Sequence, residues 1–198
     1  MKYEEQKFDI PRLKGMSTKS IEEHLKLYSG YVKHTNLIYE KISELSKDPE
    51  TNSYLLGELH RRFSFEWNGM RNHEHYFRSL QGGTYSHNPD SDLGKIINRD
   101  FETFDNWLKE FKLLSLTRGI GWAMLYFDPV VEKLVHAWVD EQHLGQLNGG
   151  RLILGLDMWE HSYVYDYQPS GKKQYVEDFF ENLNWKTIED VFRDSLTS

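Results

Sequence analysis

Asp157-Met158-Trp159-Glu160-His161 sets a carboxylate and an imidazole four residues apart, with a tryptophan between them. A hard oxygen donor and a borderline nitrogen donor in one local turn suit a redox-active first-row metal such as iron or manganese. The run also reads as a helix start, with Asp157 as N-cap and Glu160 as its capping-box partner. That reading accounts for Asp157 and Glu160. It leaves Trp159 and His161, followed by Tyr163, Tyr165 and Tyr167, without a reason. Spacing alone keeps both readings open.

Working outward, three short runs read as strands: Trp122–Phe127, Lys133–Val139 and Leu152–Asp157. Lys133–Val139 alternates with period two, and Asp128-Pro129 supplies a hairpin turn before it. The first half of the chain reads as helix. Ile21, Leu25, Tyr28, Val32, Ile38 and Ile42 recur at helical spacing after Ser17, which with Ser20 offers N-cap chemistry. Lys47-Asp48-Pro49-Glu50 interrupts the pattern. A second helix runs from about Ser53 to Leu80, and Gln81-Gly82-Gly83 ends it. Residues 83–92, rich in Gly, Ser, Asn, Asp and Pro, mark a boundary. Two amphipathic segments follow, Asp92–Asp100 and Thr103–Leu116, and the tail from Tyr175 to Leu196 is helical again. Helices, then a small antiparallel sheet, then helix describe an α+β chain and not a βαβ alternation.

Composition narrows the chemistry. The chain has 198 residues, 15% of them aromatic, so large rings can fill a core and disorder is disfavoured. A net charge of −7 argues against nucleic-acid binding through phosphate neutralisation. Cysteine is absent, which excludes disulfides, thiolate catalysis and iron–sulfur clusters, so a metal must use His, Asp or Glu. The N-terminal stretch has no apolar signal-peptide core and no run approaches membrane-spanning length, so a soluble cytoplasmic protein without a membrane partner is expected.

Of nine histidines, His24 in the first helix and His73 late in the second lie among aromatics, where antiparallel helices bring them together. His73 and His75 cannot share a helix face. His34 and His60 have charged surroundings and read as surface residues. His87 reads as an exposed loop residue, and His136 as core or sheet edge.

These residues fall into a recognisable set of motifs. Asp157–His161 has the pattern D-x-W-E-H, and Tyr175–Trp185 (YVEDFFENLNW) has Y-x-x-x-F-x-x-x-x-N-W. Asn72-His73 with Phe77 and Leu80, Arg118-Gly119-Ile120-Gly121-Trp122, and Ile21-Glu22-Glu23-His24 with Tyr31 complete it. Together they resemble the iron/manganese superoxide dismutases over nearly the whole chain. The resemblance implies an N-terminal helical hairpin domain (residues 1–83). An α/β domain with a three-stranded antiparallel sheet (residues 84–198) would follow it. It implies an enzyme that disproportionates superoxide to oxygen and hydrogen peroxide at one manganese or iron ion per subunit. The implied ligands are His24, His73, Asp157 and His161, with solvent as the fifth. Tyr31 is the implied gateway residue, and Trp122 and Trp159 the pocket walls. A homodimer is implied, with Glu160 reaching His161 of the other subunit.

The chain departs from the family pattern in places. The residue that hydrogen-bonds the metal-bound solvent falls in Val139-Asp140-Glu141-Gln142-His143-Leu144-Gly145. The best register puts His143 there, with Gln142 one residue off. The other source of that group, a glutamine shortly before His73, is absent from Asn68-Gly69-Met70-Arg71-Asn72. Tyr28 stands where an interface histidine is usual, and Val164 where its tyrosine partner is. Gly155, two before Asp157, leans toward manganese, and iron stays open. Because the substrate is an anion and the chain is acidic, a local basic funnel is expected from Lys172, Lys173 and Lys33. The alternative is a metal-free or non-catalytic binding protein on the same fold. A di-iron bundle would need repeated Glu-x-x-His spacing that the helices lack.

Overall fold

A computed structural model describes residues 2–197. Two 28-residue helices, α1 (Thr18–Leu45) and α2 (Ser53–Leu80), pack as an antiparallel hairpin. Ser17 caps α1 by accepting the Ser20 backbone N–H at 3.1 Å. Ile21, His24, Tyr28, Val32, Thr35 and Ile38 form the buried stripe of α1, spaced by three and four residues. On α2 the buried stripe includes Gly69, Met70, His73, Tyr76, Phe77 and Leu80. Each of the two candidate histidines therefore lies on the inner face of its helix.

An extended N-terminal segment lies against the hairpin. Phe8 packs against the rings of Tyr28 and Phe77, with centroids 5.8 and 5.5 Å away. The Tyr28 hydroxyl accepts the Gln6 N–H at 2.9 Å and lies 3.2 Å from Glu74 Oε1. Tyr28, which stands where the family's interface histidine is usual, is thus a core residue with no exposed surface. The physical reason is its partner: residues 3–8 cover the face of α1 on which it sits.

Next come α3 (Asp92–Phe101) and α4 (Phe104–Ser115), capped by Ser91 and Thr103. The sheet follows: β1 (Gly121–Asp128), β2 (Lys133–Asp140) and β3 (Arg151–Asp157). It is antiparallel throughout, in the order β2-β1-β3, so β1 is central. That position explains why Gly121–Phe127 is apolar, aromatic and buried on both faces without alternation. At its start Trp122 pairs with Val139 on one side and Asp157 on the other. The register therefore sets the end of β3 and the loop after β2 beside one tryptophan. Gly121 is obligatory here: its φ is 153°, and a Cβ would lie 2.1 Å from the Val139 carbonyl oxygen.

The tail that reads as one helix is two, α6 (Lys172–Glu181) and α7 (Trp185–Thr197), after a short α5 (Val164–Tyr167). The break at residues 182–184 has work to do. Asn182 bonds the backbone N–H and C=O of Lys14 through its side chain, both at 2.9 Å. The Asn184 amide reaches the Gln81 carbonyl at the end of α2 at 2.8 Å. His87 also differs from its expected exposure. It is half-buried and stacks on Phe104 at 4.1 Å, with Trp185 edge-on at 5.1 Å.

Candidate metal centre

Four elements converge on one point. His24 comes from α1, His73 from α2, Asp157 from the last position of β3, and His161 from the 3-10 turn Glu160–Ser162. One donor atom from each lies within 4.8 Å of the others. Asp157 Oδ2 is 3.1 Å from His24 Nε2, 3.1 Å from His161 Nε2 and 3.5 Å from His73 Nε2. For a metal–ligand bond of about 2.1 Å, adjacent donors sit about 3.0 Å apart at 90° and about 3.6 Å apart at 120°. The three Asp157–histidine spacings match that range, so the carboxylate and the three imidazoles are placed to share a single ion with small adjustment of the histidines.

The surrounding bonds orient each donor. His73 Nδ1 lies 2.6 Å from the Gly69 carbonyl, which fixes the proton there and leaves a lone pair on Nε2. That Nε2 atom is buried and has no hydrogen-bond partner among the described residues. A buried nitrogen with no hydrogen-bond partner, aimed at three other donors, suits a metal ligand. Asp157 divides its oxygens: Oδ1 accepts the Trp159 N–H at 2.8 Å, and Oδ2 faces the histidines. Oδ1 thus steadies the turn, although Trp159 and not Asp157 stands at the N-cap of Glu160–Ser162 and Glu160 makes no capping-box bond among the described residues, while Oδ2 is placed where a ligand oxygen could serve. Its backbone carbonyl is held by the Tyr175 hydroxyl at 3.0 Å and Ser162 Oγ at 2.9 Å. Burial alone would raise the Asp157 carboxyl, yet His161 and His24 outweigh it and hold the group far below the usual carboxylate range. Burial, then the charges of its neighbours, lowers His73 to about 3, so its imidazole is neutral and able to ligate.

The walls are aromatic. Trp122 is fully buried and meets the His73 ring edge-on at 5.1 Å, and Trp159 stacks on His161 at 5.8 Å. The Tyr31 ring lies 5.0 Å from that of His73. Tyr31 sits against the backbone of Gly69, where a Cβ would come within 2.5 Å of its ring. Gly69→Ala should therefore overpack this contact, costing about 1–3 kcal/mol despite the better helix propensity of alanine. Thermal unfolding of the two proteins checks this.

His143 is not where it was expected to be. Gln142 is the buried residue: its Oε1 accepts the Trp122 indole N–H at 3.0 Å, and its Nε2 donates to the Tyr31 hydroxyl at 2.9 Å. His143 turns away and packs edge-on against Phe65 at 5.6 Å. The cause is the tight loop after β2, closed by mutual backbone bonds between Asp140 and Leu144. Glu141 there takes a φ of 51°, which reverses the chain before Gln142. No residue spacing shows that reversal, so sequence alone does not say which of the two adjacent side chains turns inward.

A cavity of about 500 Å³ opens over this cluster, with Tyr31, His34, Arg62, Phe65, Glu66, Trp159 and His161 in its wall. Lys172, Lys173 and Lys33 do not line it, and Lys172 donates to the Thr117 carbonyl at 2.8 Å. The cation present is Arg62, which lies over the Phe65 ring at 3.9 Å and bonds the buried Glu66 carboxylate at 2.6 Å. His34 stands 3.9 Å from that same carboxylate. Sequence reading did not single out Arg62 and Glu66, because only the packing of α2 against α1 opens a cavity beside them, and it had Tyr175 only as a motif position, not as the residue that holds the Asp157 carbonyl.

Residues 89–191 match the family model described as iron/manganese superoxide dismutases, C-terminal domain. The chain belongs to the iron/manganese superoxide dismutase family. It is 36% identical over 179 residues to the iron superoxide dismutase of Cupriavidus metallidurans, spanning 88% of this chain and 87% of that one. It is 29% identical over 192 residues to the mitochondrial manganese superoxide dismutase of Glossina morsitans morsitans, spanning 95% and 87%. A manganese superoxide dismutase of Haloferax volcanii is 32% identical over 160 residues, spanning 80% and 77%. The helical hairpin and three-stranded sheet are thus the fold of this superoxide dismutase family, and relatives named for either metal share it.

Proposed function

We propose that this superoxide dismutase holds one manganese or iron ion on His24, His73, Asp157 and His161, and that Gln142 governs the solvent molecule bound beside them. The observation that carries this reading is the convergence of four donor atoms within 4.8 Å, three of them on buried residues. When bound, the ion supplies the electron exchange that takes one superoxide to oxygen and another, with two protons, to hydrogen peroxide. The protein's part is to hold protons and exclude bulk water. Gln142 has its oxygen committed to Trp122 and one N–H to Tyr31, which leaves its second N–H to donate to bound solvent. Burial, and then the Asp157 charge, raises the Tyr31 hydroxyl, so it keeps its proton at neutral pH. Tyr31 accepts from Gln142, so its own O–H is free to serve substrate or solvent in the cavity.

Gly69 supports Gln142 in this role from the other side. A side chain on residue 69 would collide with Tyr31, so the solvent partner comes from the loop after β2. By the family resemblance Gly155 leans toward manganese, and iron stays open. The packing around Gly155 is neutral on the point, since a Cβ there would meet Trp122 at an ordinary 3.7 Å. A homodimer with Glu160 of one chain on His161 of the other fits the exposure of Glu160 beside the partly exposed ligand, whose Nε2 faces Asp157. No helix among the described residues is long and apolar enough to cross a membrane. A cytoplasmic location remains part of the proposal, and the cysteine-free sequence is compatible with it.

Superoxide consumption by protein loaded separately with manganese and iron tests the function. Activity with at least one metal is expected. Inactivity of both loaded forms would favour the non-catalytic alternative. At the cavity mouth, Arg62→Gln should lower kcat/KM about two- to threefold at low ionic strength, an effect that added salt erases. Pulse-radiolysis rates across a salt series measure it.

A further inference from the structure

We propose that Gln146 is a positioning residue for Gln142, locking the loop that carries it onto the helix that carries His73. The inference rests on the reading of Gln142 as solvent partner. Bonds within the loop, between Asp140 and Leu144, close the turn but do not fix it to α2. That link runs through side chains. Asn72, buried and adjacent to ligand His73, donates from Nδ2 to the Gln142 backbone carbonyl at 2.9 Å. Gln146 Nε2 donates to Asn72 Oδ1 at 3.2 Å and lies 3.3 Å from the same Gln142 carbonyl. The Tyr126 hydroxyl of β1 donates to Gln146 Oε1, and it also contacts Met124 Sδ at 3.0 Å. The Gln146 amide is thus bonded on both its oxygen and its nitrogen, and it joins β1, α2 and the loop.

The consequence is chemical as well as structural. The Gln142 side chain is held between Trp122 and Tyr31, so its reach toward bound solvent depends on where its backbone sits. With an ion bound, a donor at its solvent would favour the deprotonated form of that solvent, which the more highly charged oxidised ion would also favour. Loosening the loop weakens the donor, so it favours the reduced state and raises the midpoint potential.

The test compares manganese-loaded Gln146→Met, Tyr126→Phe and Gln142→Leu with the unaltered holoenzyme, by midpoint potential, kcat and thermal unfolding. Gln142→Leu should raise the potential most. Gln146→Met should move it the same way and lower kcat about three- to tenfold, the lower part of the range for residues that orient metal sites. Tyr126→Phe, which removes only the outer bond, should give a smaller shift of the same sign. A shift in Gln142→Leu with none in Gln146→Met, even alongside a lower Tm, would overturn the positioning role and leave the Gln142 reading intact. No shift in Gln142→Leu would overturn that reading, and this proposal with it. Should Gln146→Met fail to fold, Gln146→Asn serves instead. It keeps a neutral amide but is one methylene too short to reach Tyr126, Asn72 and the Gln142 carbonyl together, so it must raise the potential too. An unaltered potential in that variant overturns the proposal.

Discussion

Asp157→Asn will purify as a folded protein that holds little metal and has lost at least about a hundredfold of its dismutation rate, the upper range for groups that merely support a ligand. The substitution keeps volume and keeps an oxygen to accept the Trp159 N–H, so the turn into Glu160–Ser162 survives. What disappears is the one anionic donor. Oδ2 of Asp157 faces three imidazoles at 3.1–3.5 Å, and none of them can replace its charge. A divalent or trivalent ion would then sit among neutral nitrogens in a buried site, with a desolvation cost that no carboxylate offsets. The readout is double: metal per chain by elemental analysis, and the thermal shift on adding metal. A ligand present at a hundred times its Kd stabilises a folded protein by about 2.7 kcal/mol, so the unaltered chain should show a clear rise in Tm. The variant should show almost none. Metal content equal to that of the unaltered chain would remove Asp157 from the ligand set.

The second large effect separates two neighbouring residues. Gln142→Leu should lower kcat about ten- to a hundredfold, since it removes the solvent donor and leaves the Trp122 indole N–H without an acceptor. His143→Ala, one residue on, should stay within about twofold, because it gives up only a ring contact with Phe65. Steady-state rates on both variants with full metal occupancy decide the matter. A large loss in His143→Ala with a mild one in Gln142→Leu would restore the sequence register over the structural one.

That pair shows how far the sequence could be read. The helices announced themselves through periodic burial, and Ser17 marked the start of the first. The cluster of four possible donors was legible because Asp157 and His161 stand together, and because His24 and His73 lie among aromatics on helices that a short turn makes antiparallel. The motif resemblance then joined them. Gln142 was not legible. A positive φ at Glu141 decides which of two adjacent side chains points inward, and a glutamate carries no mark of that conformation. The cover over Tyr28 was hidden for a related reason: its neighbours on α1 look the same whether a partner subunit or residues 3–8 cover them. The funnel cation was missed because Arg62 becomes part of the cavity only through Phe65 and Glu66, on the same face of α2. In each case the local pattern was sound and the tertiary neighbour was invisible.

On the proposed function, four side chains from α1, α2, β3 and the turn after it hold one catalytic ion. Metal-free protein titrated with manganese(II), with bound metal and dismutation rate followed in the same samples, should show a break at one ion per chain. Activity should rise in proportion to occupancy, and both should be lost in Asp157→Asn. A protein that binds no manganese or iron at this site, or that dismutates superoxide equally well without metal, would contradict it.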